Sequence, residues 1–329
     1  MPISSNAKLV ENLFASDIKQ EPTRAGYGEG LKRLGETHPN VVALCADLTG
    51  STTTKKFADV YPDRFVQMGV AEQNLVTVAS GMAAAGKIPY VASYTMFCPG
   101  RAWEQVRTTI CYNDQPVKIA GAHAGVSVGP DGATHQAIED LAIMRVLPNM
   151  QVFAPCDSIE TRKVAMAVAD TGKPAFFRFA REKTPVFTTE ETPFEIGKAR
   201  VFWEGDGVAI IACGPLAYNA LRAARDLEAE GVSCMVVNNT SIKPMDTETI
   251  VAAAKRCGAV VTVEEHQIAG GMGSAVAEVL AQHHPVPMEF IGVRDRFGES
   301  GEPNELIEHF GMGVGSITEA VKRVLARKR

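Results

Sequence analysis

Cysteine is scarce and unpatterned: the 329 residues include 7, namely Cys45, Cys98, Cys111, Cys156, Cys213, Cys234 and Cys257, and no two stand in a C-x-x-C spacing. An odd, scattered set supports neither a disulfide framework nor a thiolate zinc site and reads as reduced, mostly buried thiols. Long hydrophobic runs are missing too. No stretch approaches the roughly 18 apolar residues of a membrane helix, and residues 1–20 alternate polar and charged side chains without the apolar segment of a secretory signal. A cytoplasmic protein with no membrane partner is expected. Positive charge is not in excess either, since 33 Lys+Arg stand against 38 Asp+Glu for a net charge of -5. That argues against an extended nucleic-acid surface. Tandem repeats and low-complexity segments are absent as well. What remains is a chain with 46% apolar and 22% charged residues, able to bury a large core and long enough for two domains.

Apolar runs and helical patterns alternate along the chain. After a polar lead-in over residues 1–21, residues 23–34 have a helical pattern loosened by Gly26, Gly28 and Gly30, and residues 41–46 form a continuous apolar run typical of a buried parallel strand. The grammar repeats with a helix over 72–85, a run at 88–93, a helix at about 101–112 and a strand at 117–122. Asp157-Ser158-Ile159-Glu160 is a capping-box pattern opening a further helix, and residues 175–181 read as a strand. Such alternation predicts a parallel α/β sheet. Residues 184–201 are rich in Pro, Thr and Glu and suit an interdomain linker. A second α/β unit follows, with strands at 208–212, 232–237, 259–263 and 288–293, and helices at 216–230, 246–256, 273–282 and 316–326. The expected division is 22–190 and 191–329.

Two stretches carry chemistry. In Gly69-Val70-Ala71-Glu72-Gln73-Asn74 an acid stands at a strand-to-helix junction, ahead of Leu75, Val78, Ala79 and Met82 on one helical face. Such junctions line the ligand edge of α/β sheets, although a first-turn Glu that only complements the helix dipole is the plainer reading. In the loop His123-Ala-Gly-Val-Ser-Val-Gly-Pro-Asp131-Gly-Ala-Thr-His135-Gln136, two histidines and an aspartate can bind a polyol or phosphate and move protons near neutral pH. Tyr94 and Phe97 suit either the core or a flat heteroaromatic ring. Arg24, Arg178 and Arg181 suit phosphate or ordinary salt bridges. Gly205-Asp206-Gly207 with Asn238-Asn239 looks like a metal-diphosphate signature, but it precedes a strand instead of ending one and reads as a turn. Gly270-Gly271-Met272-Gly273 lacks the Lys-Ser/Thr of a phosphate loop and reads as a tight connection.

Taken together, Ala46-Asp47-Leu48, the Gly69 to Asn74 stretch, Tyr94-Thr95-Met96-Phe97, the His123 to Gln136 loop and Val263-Glu264-Glu265-His266 make nearly the whole chain, from about Pro22 onward, resemble the C-terminal half of transketolase. The resemblance implies two parallel-sheet, three-layer α/β domains: the thiamine-diphosphate pyrimidine-binding fold and the transketolase C-terminal domain. The N-terminal domain with the true Mg²⁺-diphosphate signature has no counterpart here. The resemblance therefore implies one subunit of a split transketolase, needing an N-terminal partner subunit in a heterotetramer. Thiamine diphosphate would be shared with that partner, and Mg²⁺ or Ca²⁺ held mainly by it, with no metal ligand from this chain.

Carried over by position, Glu72 matches the carboxylate that hydrogen-bonds the aminopyrimidine and favours the imino tautomer able to take a proton from the thiazolium carbon. Asp47 and Leu48 match the loop beside the cofactor. Tyr94 and Phe97 match the aromatic wall, whose third aromatic is replaced here by Gly100, leaving that part roomier or filled by another residue. Asp131 and His135 match residues at the sugar hydroxyls near the reacting carbons and join Glu72 as the catalytic set. Arg24, Ser51, His123 and Arg181 match the clamp on the terminal phosphate of a sugar-phosphate substrate. The implied activity moves a two-carbon ketol unit from a ketose phosphate to an aldose phosphate. The alternatives are the beta subunit of a 2-oxo-acid dehydrogenase, an enzyme like deoxyxylulose-phosphate synthase, and a scaffold relative without activity.

Overall fold

A computed structural model describes residues 2–328. Two sheets organise it. The larger has seven strands in the spatial order Ser241–Lys243, Gln151–Phe153, Ala175–Phe179, Lys118–Ala122, Ile88–Tyr94, Val41–Cys45 and Phe65–Gln67. All its pairings are parallel except that of Ser241–Lys243, which comes from the second half of the chain and runs antiparallel along Gln151–Phe153. Side chains alternate across this sheet. Val41 and Ala43 face Tyr27, Leu31 and Val164, whereas Val42 and Leu44 face Leu75, Val76 and Ile110. Both faces are thus covered by helices, which is why Val41–Cys45 reads as an unbroken apolar run.

The smaller sheet has the order Met288–Val293, Val260–Gln267, Val208–Ala212, Cys234–Asn238 and Arg200–Trp203, parallel apart from the last strand. Helices Leu216–Ala229 and Val314–Leu325 cover one face, and Thr247–Cys257 and Met272–His283 the other. Two three-layer α/β units, each mostly parallel, match the expected fold class. Each unit ends in an antiparallel edge strand that sequence pattern did not predict. Among the described residues no helix is long and apolar enough to cross a membrane.

Three segments depart from expectation. The lead-in is not a loose tail: Ala7, Leu13 and Ile18 are buried, Phe14 packs edge-on to Trp203, and the Tyr218 hydroxyl donates to the Leu13 carbonyl at 2.9 Å. Its end, Gln20–Pro22, pairs with Lys183–Pro185. The expected linker is packed as well. Buried Asp157 accepts from the backbone N–H groups of Phe187 and Thr188 at 3.0 and 2.7 Å, so the segment leaves the first unit along its surface. Finally, the glycines of helix Thr23–Thr37 do not loosen it. A Cβ on Gly26 would lie 1.8 Å from the Ser158 carbonyl oxygen, so hydrogen alone at this position lets the helix seat against Ser158–Ala167. The capping box forms in part: Asp157 accepts from the Glu160 N–H, while Glu160 reaches back one residue further, to the N–H of Cys156.

Candidate active site

Parallel strands present their carboxyl ends on one side, and the loops that follow meet there. Asp47 and Leu48 follow Val41–Cys45, Glu72 follows Phe65–Gln67, Tyr94 closes Ile88–Tyr94, His123 follows Lys118–Ala122, and Arg181 follows Ala175–Phe179. Gln67, which sequence reading passed over, ties two of these loops together. Its Oε1 accepts from the Asp47 N–H at 2.7 Å, and its Nε2 donates to the Thr49 hydroxyl at 2.9 Å. The Asp47 backbone is left-handed, φ 59°, and this bond holds it there.

Glu72 is buried, with 1% of its surface exposed. Among the described residues none of its own helix's N–H groups binds its carboxylate. The Ser93 hydroxyl donates to Oε1 at 3.1 Å and the Arg101 guanidinium donates to Oε2 at 2.7 Å. The side chain therefore points across the sheet edge, which capping of the helix dipole does not account for. Arg101, unanticipated from the sequence, also lies 4.7 Å over the Phe97 ring. Position 100 itself has no room for a side chain, since a Cβ there would stand 2.1 Å from the Met96 carbonyl oxygen.

The aromatic residues form one continuous cluster. Tyr94 stacks on His123 with centroids 4.1 Å apart and lies 6.2 Å from Phe97, and His135 meets Phe97 edge-on at 5.2 Å. Burial pushes the His123 imidazole down to about 3, and the Arg24 and Arg181 charges followed by His135 push the same way. The ring is thus neutral near pH 7, and its Nδ1 is buried without a hydrogen-bond partner. Arg24 donates to the Ser51 carbonyl at 3.0 Å. Arg181 donates to the Val128 carbonyl at 2.9 Å and to Asp131 at 3.1 Å. Asp131 and Arg181, expected at different parts of a substrate, are thus ion-paired in the free chain.

Arg178 stands apart from this edge. It is buried, 3.3 Å from Asp140, and donates to the Glu265 carbonyl at 3.1 Å, bracing the first unit against the second. The Glu-Glu-His segment works on the same boundary. Glu265 accepts from the Ser127 N–H at 2.6 Å, holding the turn between His123 and Asp131. Glu264 accepts from the N–H groups of Met272 and Gly273 at 2.7 and 2.8 Å, so the glycine-rich helix start that looked like a phosphate cradle holds a carboxylate of the chain itself. Gln136 donates to the carbonyls of Val126, Gly129 and Glu299 and ties the same loop down. Asp206 lies on an exposed turn before Val208–Ala212, away from the site.

A buried carboxylate beside paired flat aromatics, with an unpartnered imidazole nitrogen nearby, fits a planar heteroaromatic ring able to hydrogen-bond, as the aminopyrimidine of thiamine diphosphate is. Among the described residues no group of three or more His, Cys, Asp and Glu could hold a metal ion.

Residues 19–186 match the family described as transketolase, pyrimidine binding domain, and residues 197–317 match transketolase, C-terminal domain. A protein of Methanocaldococcus jannaschii named "Putative transketolase C-terminal section" is 43% identical over 308 residues, covering 93% of this chain and 96% of that one. The 6-deoxy-6-sulfo-D-fructose transketolase subunit SqwH of a Clostridium species is 36% identical, with 96% and 98% covered. A solved structure described as a split gene transketolase, inactive beta4 tetramer, is 46% identical with a TM-score of 0.88, covering 94% of this chain and 99% of that one. Family matches over both halves and relatives matched over nearly the whole of both chains assign this chain to the transketolase family.

Proposed function

We propose that the chain is the C-terminal subunit of a split transketolase, with residues 22–190 as pyrimidine-binding domain and 191–329 as C-terminal domain. It moves a two-carbon ketol unit from a ketose phosphate to an aldose phosphate in the cytoplasm. Activity requires an N-terminal subunit carrying the diphosphate-binding domain, in a heterotetramer, with Mg²⁺ or Ca²⁺ held mainly by that partner. The relatives described as a section, a subunit and a split gene product, matched over nearly their whole length, support the division between chains.

The observation that carries the reading is Glu72, a buried carboxylate at the foot of the Tyr94–Phe97 wall. When bound, thiamine diphosphate would supply a nucleophilic carbon able to attack a ketose carbonyl. Glu72 would hold the cofactor's aminopyrimidine by sharing a proton with one of its ring nitrogens. Ser93 fixes the carboxylate's direction, and Tyr94 and Phe97 cover the ring and exclude water. Asp47 and Leu48 line the neighbouring loop, which Gln67 holds in shape. Arg24 and Arg181, with Ser51 and His123, take the terminal phosphate of the sugar. Binding there, remote from the reacting carbons, aligns the carbonyl. Asp131 and His135 take the hydroxyls beside it, which requires Asp131 to exchange its bond to Arg181 for one to substrate.

Mixing the purified chain with a diphosphate-domain subunit tests this. Turnover of xylulose 5-phosphate with ribose 5-phosphate is expected only in the mixture. Pyruvate-dependent product would point instead to the synthase or dehydrogenase alternative, and full activity of the chain alone would overturn the split.

A further inference from the structure

The proposed role of Glu72 leaves Arg101 unexplained. Its guanidinium donates to Oε2 of the buried carboxylate at 2.7 Å while its Cζ lies 4.7 Å from the centroid of the Phe97 ring. Position 100 cannot contribute to this side of the wall, because any side chain there would run into the Met96 carbonyl. The wall is therefore completed from position 101, by a cation. The two partners differ in freedom: Glu72 is fully enclosed, whereas the Arg101 side chain is 48% exposed and can swing without unpacking the core. With Ser93 on Oε1 and the guanidinium on Oε2, a ring nitrogen that approaches the carboxylate meets both oxygens already engaged, and it competes most directly with the charge-assisted bond from Arg101.

We propose that Arg101 is a positioning residue that acts through Glu72. In the free chain it is the counter-ion of a carboxylate enclosed by the core. When an aminopyrimidine ring takes the carboxylate, Arg101 yields Oε2 and swings toward the solvent that its half-exposed side chain already meets. This rests on the reading of Glu72 as the ring's partner. It follows that the ion pair competes with the cofactor, holding the site in shape while it is empty and weakening cofactor binding.

Two measurements test the proposal, neither of them turnover: thermal unfolding of the free chain, and thiamine diphosphate binding to the assembled complex by calorimetry. Arg101→Gln is expected to lower the melting temperature of the free chain. It is expected to tighten thiamine diphosphate binding by roughly two- to five-fold, the scale of a half-exposed ion pair. In a Glu72→Gln background the same change should move neither quantity. Unchanged or weaker binding in Arg101→Gln, or an equal effect in the Glu72→Gln background, would overturn the proposal. If Glu72→Gln alone binds the cofactor and turns over normally, the reading of Glu72 has failed. If that variant is inactive and Arg101→Gln shows no shift dependent on Glu72, only the role of Arg101 has failed.

Discussion

Lys118 is fully buried at the start of a central strand, its Nζ donating to the Lys173 carbonyl at 2.5 Å, with no carboxylate in ion-pair reach among the described residues. Burial pushes its ammonium down to about 7. The unfolded chain then binds the extra proton between about 7 and the ordinary lysine value of about 10.4, so this residue makes stability rise with pH across that window. Buried cysteines and tyrosines with raised values act in the opposite sense at the upper end. The informative quantity is therefore the difference from Lys118→Met in denaturant unfolding, which should shift in favour of the wild type as pH rises from 7 to 10. A pH-independent difference would show that Lys118 is not desolvated as described. At this scale the sequence exposed side chains that stand at strand ends, such as Glu72, Tyr94 and His123. It did not expose Gln67, Arg101 or the Asp131–Arg181 pair, whose hydrogen-bond partners described above lie 18 or more positions away and meet only through space.

Helix Thr23–Thr37 separates two opposing effects at Gly26. By helix propensity alone, Gly26→Ala would stabilise by roughly 1 kcal/mol. By packing, the new methyl would stand 1.8 Å from the Ser158 carbonyl, and overpacking of that kind costs about 1–3 kcal/mol. Packing wins, so a net loss is expected in equilibrium unfolding, and a gain would contradict the close approach. Helices with an ordinary apolar stripe were legible from periodicity. Glu72–Ala84 and Leu216–Ala229 fall within a residue of expectation, the latter followed by Gly231 at φ 81° as a helix stop. Short edge strands such as Arg200–Trp203 and Ser241–Lys243 were not legible, because three or four residues carry too little pattern and their pairing is set by what lies beside them. The lead-in and the Pro-rich segment looked unstructured for a related reason: their order comes from tertiary contacts, not local propensity.

For the whole molecule, the strand–helix alternation was enough to anticipate two α/β units and the sheet edge where ligand-binding loops gather. The pattern could not give the coupling between units. Arg178, Asp140 and Glu265 form a buried bridge, and Glu265 reaches from the second sheet to hold the Ser127 turn of the first. The second unit is thereby part of the mechanism's frame, keeping the loop from His123 to His135 in place over the aromatic cluster. The same edge carries an exposed valine, Val70, two residues from Glu72, as suits a site completed by another chain. The central claim is that Glu72 is the group that activates a cofactor shared across that boundary. It is tested most directly by measuring transketolase turnover and subunit assembly of the Glu72→Gln chain mixed with a diphosphate-domain partner. The expected result is loss of turnover with assembly intact, and near-normal turnover in a properly assembled complex would contradict the assignment.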